Sequence, residues 1–233
     1  MVSMSEPSAV GRRSRTPSAD VERELLSAAE AVLVRQGSGG LTVRAVAAEA
    51  GIAPMSVYNR FGGKDGLVDA LLIKGFDRLR ASIEAGREPD MLARLRNCGL
   101  RYREFALANP HFYTLMFEEA SPHEHEHEDN EVATHARAAF GALVRTVELA
   151  SAAGVIEARD PVEMAQQVWS ASHGAVALEM KGLVLTPDPA ATYGEFVDTI
   201  IRGLAPLASR PAPGLRSVTR QADREQFRAG QAR

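Results

Sequence analysis

Between residues 42 and 61 the sequence reads TVRAVAAEAGIAPMSVYNRF, and its side chains are of the types that recognise nucleic acid. Ser56 and Asn59 carry a hydroxyl and a carboxamide suited to base edges, while Pro54 and Met55 offer apolar surface of the kind that meets a thymine methyl. Tyr58, Arg60 and Lys64 add a phenol, a guanidinium and an ammonium, all able to donate to phosphate oxygens. Thr42 and Arg44, a little earlier, form a second set of donors for the nucleic-acid backbone.

Such groups read DNA only when a helix holds them in a groove, so the elements around them matter. Apolar residues recur at spacings of three and four along most of the chain, and period-2 alternation is absent, which predicts an all-α fold. Thr42 stands as N-cap of a short helix over Val43–Ala50, closed by Gly51 where the turn requires positive φ. Pro54 opens a second short helix to about Arg60. Ala47 is small enough to let the two helices approach, and Val46, Ile52 and Val57 are the apolar pins. Two short helices on a tight turn make a helix-turn-helix, whose second helix presents its N-terminal residues to the major groove. Core packing is the alternative role for Tyr58, and Phe61 reads as core.

The same periodicity predicts helices over about Asp20–Gln36, Asp65–Glu84, Asp90–Ala108, Pro110–Glu118, Val132–Ala153, Pro161–Leu183 and Pro189–Ala208. In the long helix after Gly62-Gly63, the positions Leu67, Ala70, Leu71, Lys74, Phe76 and Leu79 mix a core stripe with a charged face. Residues 1–17 and 210–233 are polar and low in apolar content, and read as a disordered basic arm and a disordered tail. Arg12, Arg13 and Arg15 in the arm suit a minor groove or a line of phosphates, and equally a solubilising segment.

Composition narrows the function classes. The chain has 233 residues, 45% of them hydrophobic, and a formal net charge of −3. Residues 1–80 hold 11 basic and 9 acidic side chains, and the rest holds 16 and 21, so a weakly basic head precedes an acidic body. That distribution suits a protein offering DNA one face only. No apolar run has membrane-spanning length, and the basic residues of MVSMSEPSAVGRRSR lack the apolar block of a secretory signal. The lone Cys98 cannot form an intramolecular disulfide and fits a reducing compartment, the cytoplasm. No Gly-rich phosphate loop, Gly-x-Ser-x-Gly or CxxC is present, so an enzyme is not expected, nor any cofactor.

The run Val57-Tyr58-Asn59-Arg60-Phe61-Gly62-Gly63-Lys64-Asp65-Gly66-Leu67 resembles the DNA-binding domain of TetR-type repressors over about residues 20–70. The family pattern there is Tyr-x-x-Phe, a short break and Lys-[Asp/Glu]-x-Leu; Arg60 replaces the frequent His and keeps a phosphate donor. Tyr102-Arg103-Glu104-Phe105-Ala106, Asn109-Pro110, Leu115-Met116-Phe117 and Trp169-Ser170-Ala171-Ser172-His173-Gly174 are similar to the family's WHG-type C-terminal domain. The resemblance implies a ligand-released repressor: a helix-turn-helix domain over 18–66, then a helical effector-binding and dimerisation domain over 67–209. It further implies a palindromic double-stranded DNA operator, a small-molecule effector, and a homodimer pairing through its last two long helices.

Tyr102, Phe105, Phe112, Met116, Trp169 and His173 are the candidate lining of an effector pocket, with ordinary core packing as the other reading. His173 follows Trp169 by four residues and shares its helix face. In the acidic stretch SPHEHEHEDNE, His123, His125 and His127 are donors of metal-binding type, but their alternate spacing suits a solvated loop better than a rigid site.

Overall fold

Short polar side chains mark where the helices begin. In the computed structural model, which describes residues 18–119 and 130–206, Thr42, Asp90, Asn130, Asp160 and Asp188 each precede a helix. Each accepts a backbone N–H of the first turn at 2.8–3.1 Å. Pro110, Pro161 and Pro189 fill first helical positions, where a missing N–H costs nothing.

The helices are α1 (Ser18–Gln36), α2 (Val43–Ala50), α3 (Met55–Phe61), α4 (Lys64–Glu84), α5 (Met91–Ala108), α6 (Pro110–Thr114), α7 (Glu131–Ala152), α8 (Pro161–Met180) and α9 (Pro189–Leu204). Among the described residues there is no strand. The fold is all-α, a helix-turn-helix head followed by a helical body.

Three helix ends differ from the periodicity. The helix expected over Pro110–Glu118 is α6 followed by a π-helical turn, Leu115–Glu119. α8 stops at Met180 rather than Leu183, because the N–H groups of Gly182 and Leu183 turn back to the carbonyls of Glu179 and Leu178. α9 ends at Leu204, short of Ala208; Ala205 is extended (ψ 150°), as a residue preceding a proline prefers.

In the head, Leu25, Ala29, Val32 and Leu33 of α1 are buried with Leu41, Val46, Ala47 and Val57. Leu67 and Leu71 at the start of α4 join the same core. Burying each such Leu or Val contributes about 1.5–3 kcal/mol, enough to hold two helices of eight and seven residues that are too short to persist alone. α4 then runs on into the body, where α7 lies along it, α8 packs on α7, and α5 touches α4, α7, α8 and α9. No helix among the described residues is long and apolar enough to cross a membrane.

Candidate functional site

The turn between α2 and α3 sets the geometry of the head. Gly51 sits at φ 65°, ψ 26°, where a side chain would be strained, and the Ile52 N–H returns to the Ala47 carbonyl at 3.0 Å. Thr42 Oγ1 accepts the Ala45 N–H at 3.1 Å, which still leaves the Thr42 hydroxyl proton free to donate outward. α3 follows with Val57 completely buried and Phe61 half-buried against the core.

That anchoring turns the other side of α3 to solvent. Met55 is 64% exposed and Tyr58 53% exposed; Pro54, Asn59 and Arg60 are exposed, and Ser56 is half-buried. Core packing is therefore not what Tyr58 does. Lys64 is the first residue of α4 and exposed, as are Thr42 and Arg44 across the turn.

Charge also marks this surface. Arg44, Arg60 and Lys64 make no ion pair with any described residue, whereas Arg35, Lys74, Arg78, Arg101 and Arg103 are each held by a carboxylate. Three cations lacking an internal counter-charge, beside exposed hydrogen-bonding groups, make an anion-seeking face.

Three ion pairs brace the head. Arg35 of α1 donates two hydrogen bonds to Glu49 of α2, at 3.0 and 2.5 Å, and holds that carboxyl below its ordinary range. Glu30 of α1 receives Arg78 at 2.6 and 3.1 Å and Lys74 at 2.7 Å, both from α4. Burial pushes the Glu30 carboxyl up, but the two cations outweigh it and the net direction is down.

A second constellation lies inside the body. Tyr102 Oη is 2.8 Å from His173 Nδ1, and Tyr113 Oη approaches the same nitrogen at 3.1 Å. The Tyr113 and His173 rings stack with centroids 5.3 Å apart. Phe117 meets Tyr113, Trp169 and His173 at 5.2, 6.1 and 5.2 Å, and Phe140 meets Trp169 at 6.1 Å. Burial lowers the His173 pKa, so the imidazole is neutral near pH 7, and burial raises both phenols, Tyr113 to about 12.

Of the six residues singled out for an inner pocket, Tyr102, Trp169 and His173 meet directly. Phe112 and Met116 are buried beneath them and face α4 at Gly75, where an added Cβ would come within 2.7 Å of the Met116 sulfur. Phe105 is buried in the same core. Tyr113, Phe117 and Phe140 belong to the cluster and were not singled out as lining. Their signal was the four-residue spacing of Tyr113 and Phe117, parallel to that of Phe112 and Met116, but both rows looked equally apolar. His123, His125, His127, Arg12, Arg13 and Arg15 lie outside the described residues. Among the described residues no three His, Cys, Asp or Glu side chains group as a metal site.

Comparison with known proteins adds the following. A family model described as bacterial regulatory proteins, tetR family, matches residues 25–71, and one described as the tetracyclin repressor-like C-terminal domain matches residues 95–202. The chain is similar to a solved protein with unknown function from Rhodococcus sp. RHA1. The two are 30% identical with a TM-score of 0.72, over 80% of this chain and 96% of that one. A bacterial regulatory protein in the tetR family from Rhodococcus RHA1 shares 21% identity at a TM-score of 0.59, over 79% and 97% of the two chains. The flavonoid-responsive regulator FrrA shares 20% identity at 0.56, over 81% and 99%. Among the curated proteins nothing matches.

Proposed function

The chain belongs to the TetR family of bacterial DNA-binding transcription regulators, which are not enzymes, and on that premise we propose that it is a ligand-released repressor acting as a homodimer on a near-palindromic operator. The observation that carries this reading is the exposed outer row of α3, flanked by three cations without an ion-pair partner among the described residues. Pro54, Met55, Ser56 and Asn59 meet base edges in the major groove. Thr42, Arg44, Tyr58, Arg60 and Lys64 hold the register on phosphates. One protomer supplies one recognition helix, so a two-fold pair addresses two half-sites about 34–36 Å apart, or a multiple of that.

Residues 18–66 form the DNA-binding unit and 67–209 the regulatory and dimerising unit, working in the cytoplasm. Tyr102, Phe105, Phe112, Met116, Trp169 and His173 form the effector site, supported by the convergence of three of them on one aromatic cluster. Effector control is in keeping with the name of the flavonoid-responsive neighbour. An effector that binds better when the two heads are wrongly spaced draws the population away from the DNA-competent state.

The test is selection of bound duplexes from a random pool with the purified full chain. The expected outcome is a palindromic consensus that an effector-containing extract or compound library releases. Failure to enrich any duplex at low salt removes the reading.

A further inference from the structure

Tyr102 and Tyr113 are buried beside His173, and burial keeps both phenols protonated, so each has a hydroxyl proton to place. The best acceptor within their reach is an imidazole lone pair. His173 Nδ1 lies 2.8 Å from Tyr102 Oη and 3.1 Å from Tyr113 Oη, so Nδ1 accepts. Burial also keeps the ring uncharged, which leaves its single proton on Nε2. The opposite tautomer sets the Tyr113 hydroxyl against an Nε2 lone pair 3.4 Å away, beyond the ordinary hydrogen-bond length. Among the described residues Nε2 makes no other hydrogen bond, so a half-buried donor is left without a good acceptor.

The surroundings of that donor are aromatic and only partly covered. Phe117, Phe140, Trp169 and His173 itself are half-buried, whereas the two phenols beneath them are buried. Phe117 and Trp169 lie 5.2 and 5.7 Å from the imidazole, and Phe140 lies 6.1 Å from Trp169. A polar floor under a part-open aromatic wall is how a small-molecule site combines apolar contact with one orienting group. Charge narrows what fits. The nearby Glu118 carboxylate acts on His173, pulling its pKa up against the larger effect of burial, and Lys181 answers Glu118 at 3.7 Å. A carboxylate brought to Nε2 therefore meets an uncharged donor and the negative field of Glu118, and loses its hydration without a counter-charge. A neutral acceptor meets no such cost.

We propose that His173 Nε2–H donates to the carbonyl oxygen of a neutral, planar aromatic ligand whose ring lies against Phe117, Trp169 and Phe140. The inference rests on the effector-site reading above and adds the chemical class of the ligand and the donor that reads it. Aryl ketones, esters and amides share this chemistry, and aryl carboxylates do not.

Trp169 is the chain's only tryptophan, so its fluorescence reports occupancy in the purified full chain. Three naphthalenes substituted at the same ring position serve as probes. Acetylnaphthalene carries the carbonyl, isopropenylnaphthalene has a methylene in place of the oxygen, and naphthoate carries the charge. The two neutral probes quench Trp169, and naphthoate binds roughly tenfold or more weakly than acetylnaphthalene. His173→Phe keeps the aromatic surface and removes the donor. In it the ratio of ketone to hydrocarbon affinity falls about fivefold, the worth of one hydrogen bond.

Proton–nitrogen NMR of the His173 ring reads the same contact without a substitution, and decides the matter if His173→Phe does not fold. The free protein shows the proton on Nε2; acetylnaphthalene moves that resonance downfield and isopropenylnaphthalene does not. A proton on Nδ1, an Nε2–H resonance that ignores the ketone, an unchanged affinity ratio in folded His173→Phe, or naphthoate as the tightest ligand overturns the assignment while the effector site stands. If no probe quenches Trp169, the effector-site reading falls as well, so the two failures are told apart.

Discussion

Lys64→Ala separates a phosphate contact from a structural charge. Lys64 opens α4, is exposed, and has no carboxylate partner among the described residues, so its removal leaves no buried group unpaired. The melting temperature therefore stays at the wild-type value. On DNA each Lys64 releases about one condensed counterion, and a dimer carries two, so the slope of log K against log[salt] becomes shallower by about 1.8. From 50 to 200 mM salt that difference compounds to a factor of about 12, so the variant's loss of affinity is about twelvefold greater at the lower salt. Fluorescence anisotropy of a labelled operator duplex over that range measures it, and the loss is the same on altered duplexes because a phosphate contact carries no sequence information. Lys74→Ala is the matched control. Lys74 pairs with Glu30 at 2.7 Å and is 29% exposed, so its loss costs about 0.5–1 kcal/mol of stability with no change in slope. An unchanged slope for Lys64→Ala, or a loss confined to particular base sequences, refutes the assignment of Lys64 to phosphate.

Thr42→Ala removes the hydrogen bond to the Ala45 N–H and costs about 1 kcal/mol in denaturant unfolding, while Thr42→Ser keeps most of it. Stability falls with acidification through His173. Its folded pKa is depressed by burial below an unfolded value of about 6.5, so this contribution is complete above that pH and is lost as the unfolded chain takes up the proton below it. Melting at pH 7.5 and 5.5 shows a smaller drop in His173→Gln than in wild type. The Cys98 thiol is buried and pushed up to about 12, so a disulfide reagent at pH 8 leaves the native chain unmodified and titrates one thiol after denaturation.

Most of the head was legible residue by residue. Thr42 before an apolar run, Gly51 at the turn and the spacing of Val46, Ala47 and Val57 act within one or two helical turns, and α2 has the bounds its caps predict. The body was legible as helices but not as a site. Through α6 and the π-helical turn Leu115–Glu119, Phe112 and Met116 form one row and Tyr113 and Phe117 another, both at four-residue spacing, and only packing turns the second to His173 and the first to Gly75 of α4. The three helix ends that moved were governed by returning N–H groups at Gly182 and Leu183, by the extended residue before a proline, and by that π-helical turn.

By itself the sequence determined where helices start, where the turn needs glycine, and which side chains of α3 carry polar groups beside an apolar anchor. Those follow from the stiffness of the backbone and from polar groups that reach only their near neighbours. Tertiary structure alone decided which charges remain available. Lys64 and Lys74 share one helix and one side-chain type, yet only Lys74 meets a carboxylate, because packing brings α1 and Glu30 against it. It alone likewise gathered Tyr102, Tyr113 and His173 from three helices. Desolvation and ion pairing depend on neighbours distant in the chain, and their placement is a property of the packed fold.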